Sequence, residues 1–209
     1  MFTDRADAGR RLAEELDERG VGGDVVLGIT RGGVPVARVV AERLGCPLGV
    51  VVVQKIGTPR REELALGAVS SDGTAWFNDD LVAELGVDES VFANRREQAE
   101  ATAAEKAAHF RTDREMPDVS GKRVVVVDDG VATGATACAA LRATRERGAS
   151  EVVLAVPVGA PSSLEMVREE ADDVVAVATP EPFGAVGRFY DRFDQVTDDE
   201  VREALTAAT

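Results

Sequence analysis

Short, dense runs of apolar residues alternate along this chain with longer stretches where apolar positions recur every three or four residues. The dense runs, at 24–29, 48–53, 123–127, 151–156 and 174–178, are apolar on both faces, as strands buried in a parallel sheet must be. The recurrent stretches predict helices. The first runs from a cap at Thr3 or Asp4 to about residue 19, with Ala8, Leu12, Ala13 and Leu16 on one face. Others are predicted at 35–44 with Pro35 in the first turn, at 78–85, along an alanine-rich 88–111, and from about 136 to 147. Ser162 with Glu165 reads as a capping box for a helix over 163–170, and Thr197 with Glu200 caps a closing helix. Residues 64–69 and 74–77 predict a short antiparallel pair around Ser71-Asp72-Gly73. Strands alternating with helices give an α/β fold, a doubly wound and mainly parallel sheet with right-handed crossovers. Residues 1–178 read as its core, including a helical segment at 78–111, and residues 179–209 as a C-terminal addition.

Composition narrows the setting. At 209 residues, 44% of them apolar, the chain is one large domain, alone or with a small appendage. No run of about 18 apolar residues suggests a membrane span, and the first residues lack the apolar core of a secretion signal. Cys46 and Cys138 fall within predicted buried elements and suggest no disulfide framework, so a cytoplasmic protein is expected. A net charge of −14 argues against a nucleic-acid partner, which needs a basic surface. Lysine occurs only at 55, 106 and 122, and an acidic, lysine-poor surface resembles proteins of salt-loving organisms. Screening would relieve the self-repulsion, so thermal melts should shift upward along a KCl series. A melting point indifferent to salt would remove the halophilic reading. Lys106, Lys122 and the single histidine, His109, read as surface positions.

The chemistry concentrates where the run 123–127 ends. Asp128 and Asp129 follow four valines, and Gly130-Val131-Ala132-Thr133-Gly134-Ala135-Thr136 leads into a helix. Strand, loop and helix place two acids and a row of backbone N–H groups at the carboxyl edge of the sheet, where open α/β sheets bind ligands. A helix N-terminus beside them favours a phosphate. It is not a Walker loop, because no lysine follows Lys122. Nor is it a dinucleotide loop, because Gly130 and Gly134 lack the G-x-G-x-x-G spacing. A second turn, Thr30-Arg31-Gly32-Gly33, follows the first strand and combines close backbone approach with a fixed cation. Residues 54–63 gather Lys55, Arg60 and Arg61 around Gly57 and Pro59 in an otherwise acidic chain. The segment after Thr179 concentrates aromatics that make up only 4% of the whole. It suits either a stacking surface for a flat molecule or packing onto the core.

The stretch 123–136 resembles the signature of type I phosphoribosyltransferases, which bind 5-phosphoribosyl-1-pyrophosphate (PRPP). Thr133, Gly134 and Thr136 match it, while Ala132 stands where that family more often has a second threonine. The resemblance extends over most of the chain and is nearest to a subgroup of predicted phosphoribosyltransferases without an assigned acceptor. It implies transfer of the 5-phosphoribosyl group to a nitrogenous acceptor, a nucleobase, with release of pyrophosphate. It implies Asp128, Asp129 and Lys55 as catalytic residues and Gly130 to Thr136 as the 5′-phosphate loop, namely Gly130, Val131, Ala132, Thr133, Gly134, Ala135 and Thr136. Thr30, Arg31, Gly32, Gly33 and Arg61 would take the pyrophosphate, with 54–63 as a mobile lid. Residues 179–209 would be a hood offering Phe183, Phe189 and Tyr190 to the acceptor. Mg²⁺ would be bound mainly through PRPP, with no protein cage of its own. The expected partners are PRPP, a small-molecule acceptor and a second copy of the chain as a homodimer, with no nucleic acid and no membrane. Two other functions fit the same residues: a regulator that binds PRPP or nucleotides without turnover, and a hydrolase with water as acceptor.

Overall fold

The computed structural model describes residues 1–58, 65–110 and 116–207. In chain order the strands are β1 (Val25–Ile29), β2 (Leu48–Val51), β3 (Val53–Gly57), β4 (Ala65–Ser70), β5 (Ala75–Phe77), β6 (Arg123–Val127), β7 (Glu151–Val158) and β8 (Asp173–Ala178). The helices are α1 (Arg5–Glu18), α2 (Gly33–Leu44), α3 (Asp79–Leu85), α4 (Glu89–His109), α5 (Ala135–Glu146), α6 (Pro161–Val167) and α7 (Asp198–Ala207). Five strands form a parallel sheet in the order β2-β1-β6-β7-β8. The chain steps outward from β1 to β2 and returns to the other side of β1 at β6. Connections leaving β1 and β6 therefore run in opposite directions, which opens a crevice above their carboxyl ends.

The valine runs are explained by both faces of this sheet being covered. On β6, Val124 and Val126 belong to a core cluster with Leu141 and Leu154, whereas Val125 and Val127 belong to another with Leu12, Val34 and Val201. Period-2 side chains thus feed α5 on one face and α1, α2 and α7 on the other. Helix α5 is itself covered twice. Its Ala139, Ala140 and Ala143 share a cluster with Val53, Ala68 and Trp76 of a second, antiparallel sheet ordered β3-β4-β5. A helix held between two sheets needs small side chains on both sides, which accounts for its alanines. Helix α4 closes the far face of the small sheet, where Ala99 meets Ile56, Leu66 and Val69.

The parallel α/β architecture is as expected, and several boundaries differ. The run 48–53 is two strands: β2 ends at Val51 in the large sheet, and β3 begins at Val53 in the small one. Val52 at the joint is 4% exposed, so no polar residue marks the break. Residues 54–57 of the stretch read as a polar loop belong to β3, on which Lys55 is exposed and Ile56 buried. Residues 59–63 of that stretch, with Arg60 and Arg61, lie outside the described residues. The Ser162–Glu165 capping box does not form. Pro161 opens the helix after Ala160, and the Ser163 hydroxyl donates instead to the Ala132 carbonyl at 2.6 Å. The other box does form: the Glu200 N–H donates to Thr197 Oγ1 at 3.2 Å and the Thr197 N–H to Glu200 Oε2 at 2.7 Å. Lys106 is half-buried rather than a surface residue, its ammonium donating to Gln54 Oε1 at 2.6 Å. Cys46 and Cys138 are free thiols, and burial pushes Cys138 up to about 12. Among the described residues no helix is long and apolar enough to cross a membrane.

The tail folds back to the start of the chain. The Phe2 N–H donates to the Phe189 carbonyl at 2.7 Å and the Asp191 N–H to the Phe2 carbonyl at 2.9 Å. Phe2 and Tyr190 lie 5.4 Å apart between ring centroids and are buried together with Ala8 and Val158. This seam brings both chain ends beside the crevice.

Candidate active site

The crevice above β1 and β6 is a cleft of about 570 Å³. Its floor is the loop from Asp128 to Gly134, together with Thr136. One wall is the turn Thr30–Gly32, another is Gln54 and Lys55 of β3, and the last is Arg5, Val186 and residues 193–196.

Asp128 and Asp129 stand where β6 leaves the sheet. Asp128 Oδ1 accepts the Asp129 N–H at 2.9 Å. Asp129 is 9% exposed, and its Oδ2 accepts from Arg5 Nε at 2.9 Å. Burial raises the pKa of both carboxyls, and the neighbouring Asp129 raises Asp128 further. Lys55 pulls both down, and Arg5 acts in the same sense, most strongly on Asp129. Two adjacent acids in a desolvated floor with two cations above them form a site that gains from donors or positive charge.

The turn after β1 runs directly under these acids. A Cβ on Gly32 would sit 2.1 Å from Asp129 Oδ2, and one on Gly33 would sit 2.5 Å from the Val127 carbonyl oxygen. The two glycines therefore make room for the acid pair as well as for a ligand, since only residues without a side chain let the two loops touch. The Thr30–Arg31 peptide is cis. Arg31 Nη1 lies 3.2 Å from Asp198 Oδ1 at the start of α7, so this cation is already paired. Lys55 has no ion-pair partner among the described residues.

The floor loop is fastened at its outer side. The Val131 N–H donates to the Val158 carbonyl at 2.9 Å, and the Ala160 N–H to the Val131 carbonyl at 2.8 Å. Gly134, at φ +82°, turns the chain into α5, and no side chain caps that helix. Its first-turn N–H groups are left for a ligand. Thr136 Oγ1 is buried without a hydrogen-bond partner, and Thr136 lines the cleft. A buried hydroxyl and uncapped amides around one loop fit an oxyanion with several acceptor oxygens.

The cleft thus brings together Thr30, Arg31, Gly32, Lys55, Asp128 and Asp129 with the loop Gly130–Gly134 and Thr136. Arg61 lies outside the described residues. Phe183, Phe189 and Tyr190, expected to face an acceptor, are not among the residues that line the cleft. Phe183 and Phe189 pack on each other at 5.0 Å, and Tyr190 is 6% exposed, its hydroxyl donating to the Asp129 carbonyl at 2.6 Å. These rings close the seam between the chain ends because they are the apolar surface available there. The aromatic that reaches the cleft is Phe193, 37% exposed, beside Val186. Arg5 also escapes a reading by sequence, because nothing local marks an arginine in the first turn of a surface helix as the partner of an acid 124 positions away. Among the described residues, no group of three or more His, Cys, Asp or Glu could hold a metal ion by itself.

Comparison with known proteins bears on this geometry. A family model described as the phosphoribosyl transferase domain matches residues 2–189. A Mycobacterium tuberculosis H37Rv protein named "Putative phosphoribosyl transferase" is 45% identical over 208 residues, covering 100% of this chain and 47% of that protein. The chain spans about half the length of the curated relatives it matches first. A uracil phosphoribosyltransferase of Streptomyces griseus is 44% identical over 75 residues, 35% of each chain. The crystal structure of TT1426 from Thermus thermophilus superposes with a TM-score of 0.83 at 40% identity, covering 100% of this chain and 99% of that one.

Proposed function

The chain belongs to the phosphoribosyl transferase family, and from that premise we propose that it transfers the 5-phosphoribosyl group of PRPP to a nitrogenous base with release of pyrophosphate. The observation that carries the proposal is the meeting, in one cleft, of an uncapped helix N-terminus with the orphaned Thr136 hydroxyl, a buried acid pair, and a glycine turn bearing Arg31. These are three receptors of different chemistry, and PRPP has the three matching parts.

The 5′-phosphate is taken by Gly130–Thr136, where amides and hydroxyls replace its water. The vicinal ribose hydroxyls donate to the acid pair. As the bond from C1 to pyrophosphate lengthens, positive charge grows on the sugar, and carboxylates already fixed beneath it stabilise that charge without reorganising. Pyrophosphate lies over Thr30–Gly33, where Arg31 exchanges Asp198 for phosphoryl oxygens and Lys55 supplies a second cation. The acceptor nitrogen approaches from the side of Val186 and Phe193. The residues fit a Mg²⁺ carried in by the substrate, because the acids offer oxygen donors but no complete cage. Bound there, the ion would supply neutralising charge to the departing pyrophosphate. The likeness to a uracil enzyme covers about a third of this chain and leaves the choice of base to experiment.

Pyrophosphate release from PRPP and Mg²⁺, measured with and without a panel of free bases, tests the reading. Release that requires a base supports it. Release without any base makes water the acceptor, and PRPP binding without release makes the protein a binder. A cation that meets the leaving group matters more in the transition state than in the ground state. Lys55→Ala should therefore lower kcat more than it weakens PRPP binding, whereas Thr133→Ala should mainly weaken binding. Equal losses in both quantities for Lys55→Ala would remove that role.

A further inference from the structure

We propose that Arg5 is a positioning residue for the acid pair: it fixes Asp129 against its guanidinium and leaves Asp128 as the carboxylate that meets the ribose hydroxyls. The proposal rests on the phosphoribosyl reading above and separates two acids that the reading treats alike.

Arg5 makes three contacts at once. Nε donates to Asp129 Oδ2 at 2.9 Å, Nη1 donates to the Asp194 carbonyl at 2.7 Å, and the guanidinium lies 4.0 Å from the centroid of the Phe193 ring. Its side chain is 13% exposed, as is that of Asp129, so water screens the pair weakly. A planar guanidinium with directed donors holds a carboxylate in orientation as well as charge. Asp129 is restrained on its other sides too. Its Oδ2 occupies the space a Cβ on Gly32 would need, and its carbonyl accepts the Tyr190 hydroxyl. Helix α1, the turn after β1 and the tail all converge on this one residue.

Asp128 is held by less. One of its oxygens accepts the Asp129 N–H, and among the described residues no side chain donates to the carboxylate. It opens onto the cleft with a valence to offer. The division also solves an electrostatic difficulty. The charged and titratable groups around the pair are Arg5 from α1, Arg31 from the turn after β1, itself paired with Asp198, Lys55 from β3, and Tyr190 and Asp194 from the tail. Burial and mutual repulsion push the two acids up, and at Asp129 the cation that opposes this most is Arg5, in direct contact with it. Arg5 thus favours the ionised form of Asp129 beneath the sugar. The same guanidinium reaches Asp194 and Phe193, so the acid pair is tied to the wall that the acceptor approaches.

The test combines carboxyl NMR of the aspartate-labelled, ligand-free protein with calorimetry of PRPP and Mg²⁺ binding, for wild type, Arg5→Gln and Arg5→Lys. Removing the cation should raise the Asp129 titration midpoint by about one pH unit or more, with a smaller change at Asp128. PRPP affinity at pH 7 should fall about tenfold, as expected for loss of a charge-assisted contact, and the weakening should ease as pH rises. Arg5→Lys should restore the Asp129 midpoint in part, which a general disturbance of folding would not do. Normal PRPP binding together with an Asp129 curve indifferent to Arg5→Gln overturns the assignment of Arg5 alone. A wild-type protein that binds no PRPP overturns the phosphoribosyl reading and the ribose assignment with it.

Discussion

Asp128→Asn is expected to make the protein more stable and far less active. The activity loss follows from the position of Asp128 just after β6, in the cleft floor, where on the proposed mechanism its carboxylate would face the growing positive charge on the sugar. Removing one preorganised electrostatic contact of this kind costs about 2.7–4 kcal/mol in barrier, or roughly 10²–10³ in turnover. The stability gain follows from the direction of its pKa. Burial and the adjacent Asp129 raise the Asp128 carboxyl well above 3.8, so the fold prefers the neutral acid. A group whose pKa is raised by folding favours the fold below its unfolded pKa, and that contribution is lost as pH rises through its folded pKa. At neutral pH Asp128 therefore weighs against folding, whether the fold bears the buried charge or takes up a proton, and the isosteric amide removes that cost. Melting temperatures of the ligand-free proteins should show Asp128→Asn above wild type at pH 7. The two curves should converge as pH falls below about 4, where the wild-type acid is neutral in both states. Equal melting at pH 7, or full PRPP-dependent turnover by the variant, would contradict the assignment.

That opposition between stability and use explains which parts of the molecule could be read from the chain. The parallel sheet was legible because its strands are buried on both faces and written as runs of valine, and because β6 passes directly into the loop it positions. The two turns that line the cleft were legible for the same reason, each being a contiguous stretch after a strand. Contacts between distant segments left no such mark. Arg5 meets Asp129, and Arg31 meets Asp198, across 124 and 167 positions. Arg5 does not differ in its neighbours from the surface arginines of α1, and the turn that marks Arg31 as a candidate says nothing of its pairing with Asp198. The joint at Val52 was hidden by its burial, since a chain passing between two sheets stays apolar throughout. The aromatics of the tail left two readings open because composition reports that a ring must be covered, without saying whether protein or ligand covers it. Tyr190 is covered by Phe2 and Phe193, while Phe193 keeps part of its ring in the cleft.

Gly33→Ala should damage fold and site together, because Gly33 is where the two meet. It is the first residue of α2 and lies under the carboxyl end of β6. A Cβ there would fall 2.5 Å from the Val127 carbonyl oxygen and 2.8 Å from the Asp128 Cα. Val127 ends a strand paired on each side, with β1 and with β7, and Asp128 follows it directly; both obstacles are backbone atoms, so neither can rotate away as a side chain would. Relief requires the turn to lift off the sheet or α2 to shift along its packing against α1. Overpacking of this kind typically costs about 1–3 kcal/mol, and a backbone obstacle places the change at the upper end. For a domain of this size that is a fall in melting temperature of roughly 4–10 °C. The lifted turn would also carry Thr30, Arg31 and Gly32 away from Asp129, opening the contact on which the leaving group is to rest. PRPP affinity should therefore fall by more than the stability loss alone explains, even at temperatures where the variant is fully folded. Calorimetric titration of PRPP and Mg²⁺ at about 15 °C, near the usual temperature of maximum stability, beside a melting curve of the same sample, separates the two effects. A variant that melts like wild type would show that the turn moves freely. One that melts lower but binds PRPP unchanged would show that the close contact between the two loops serves folding and not the ligand.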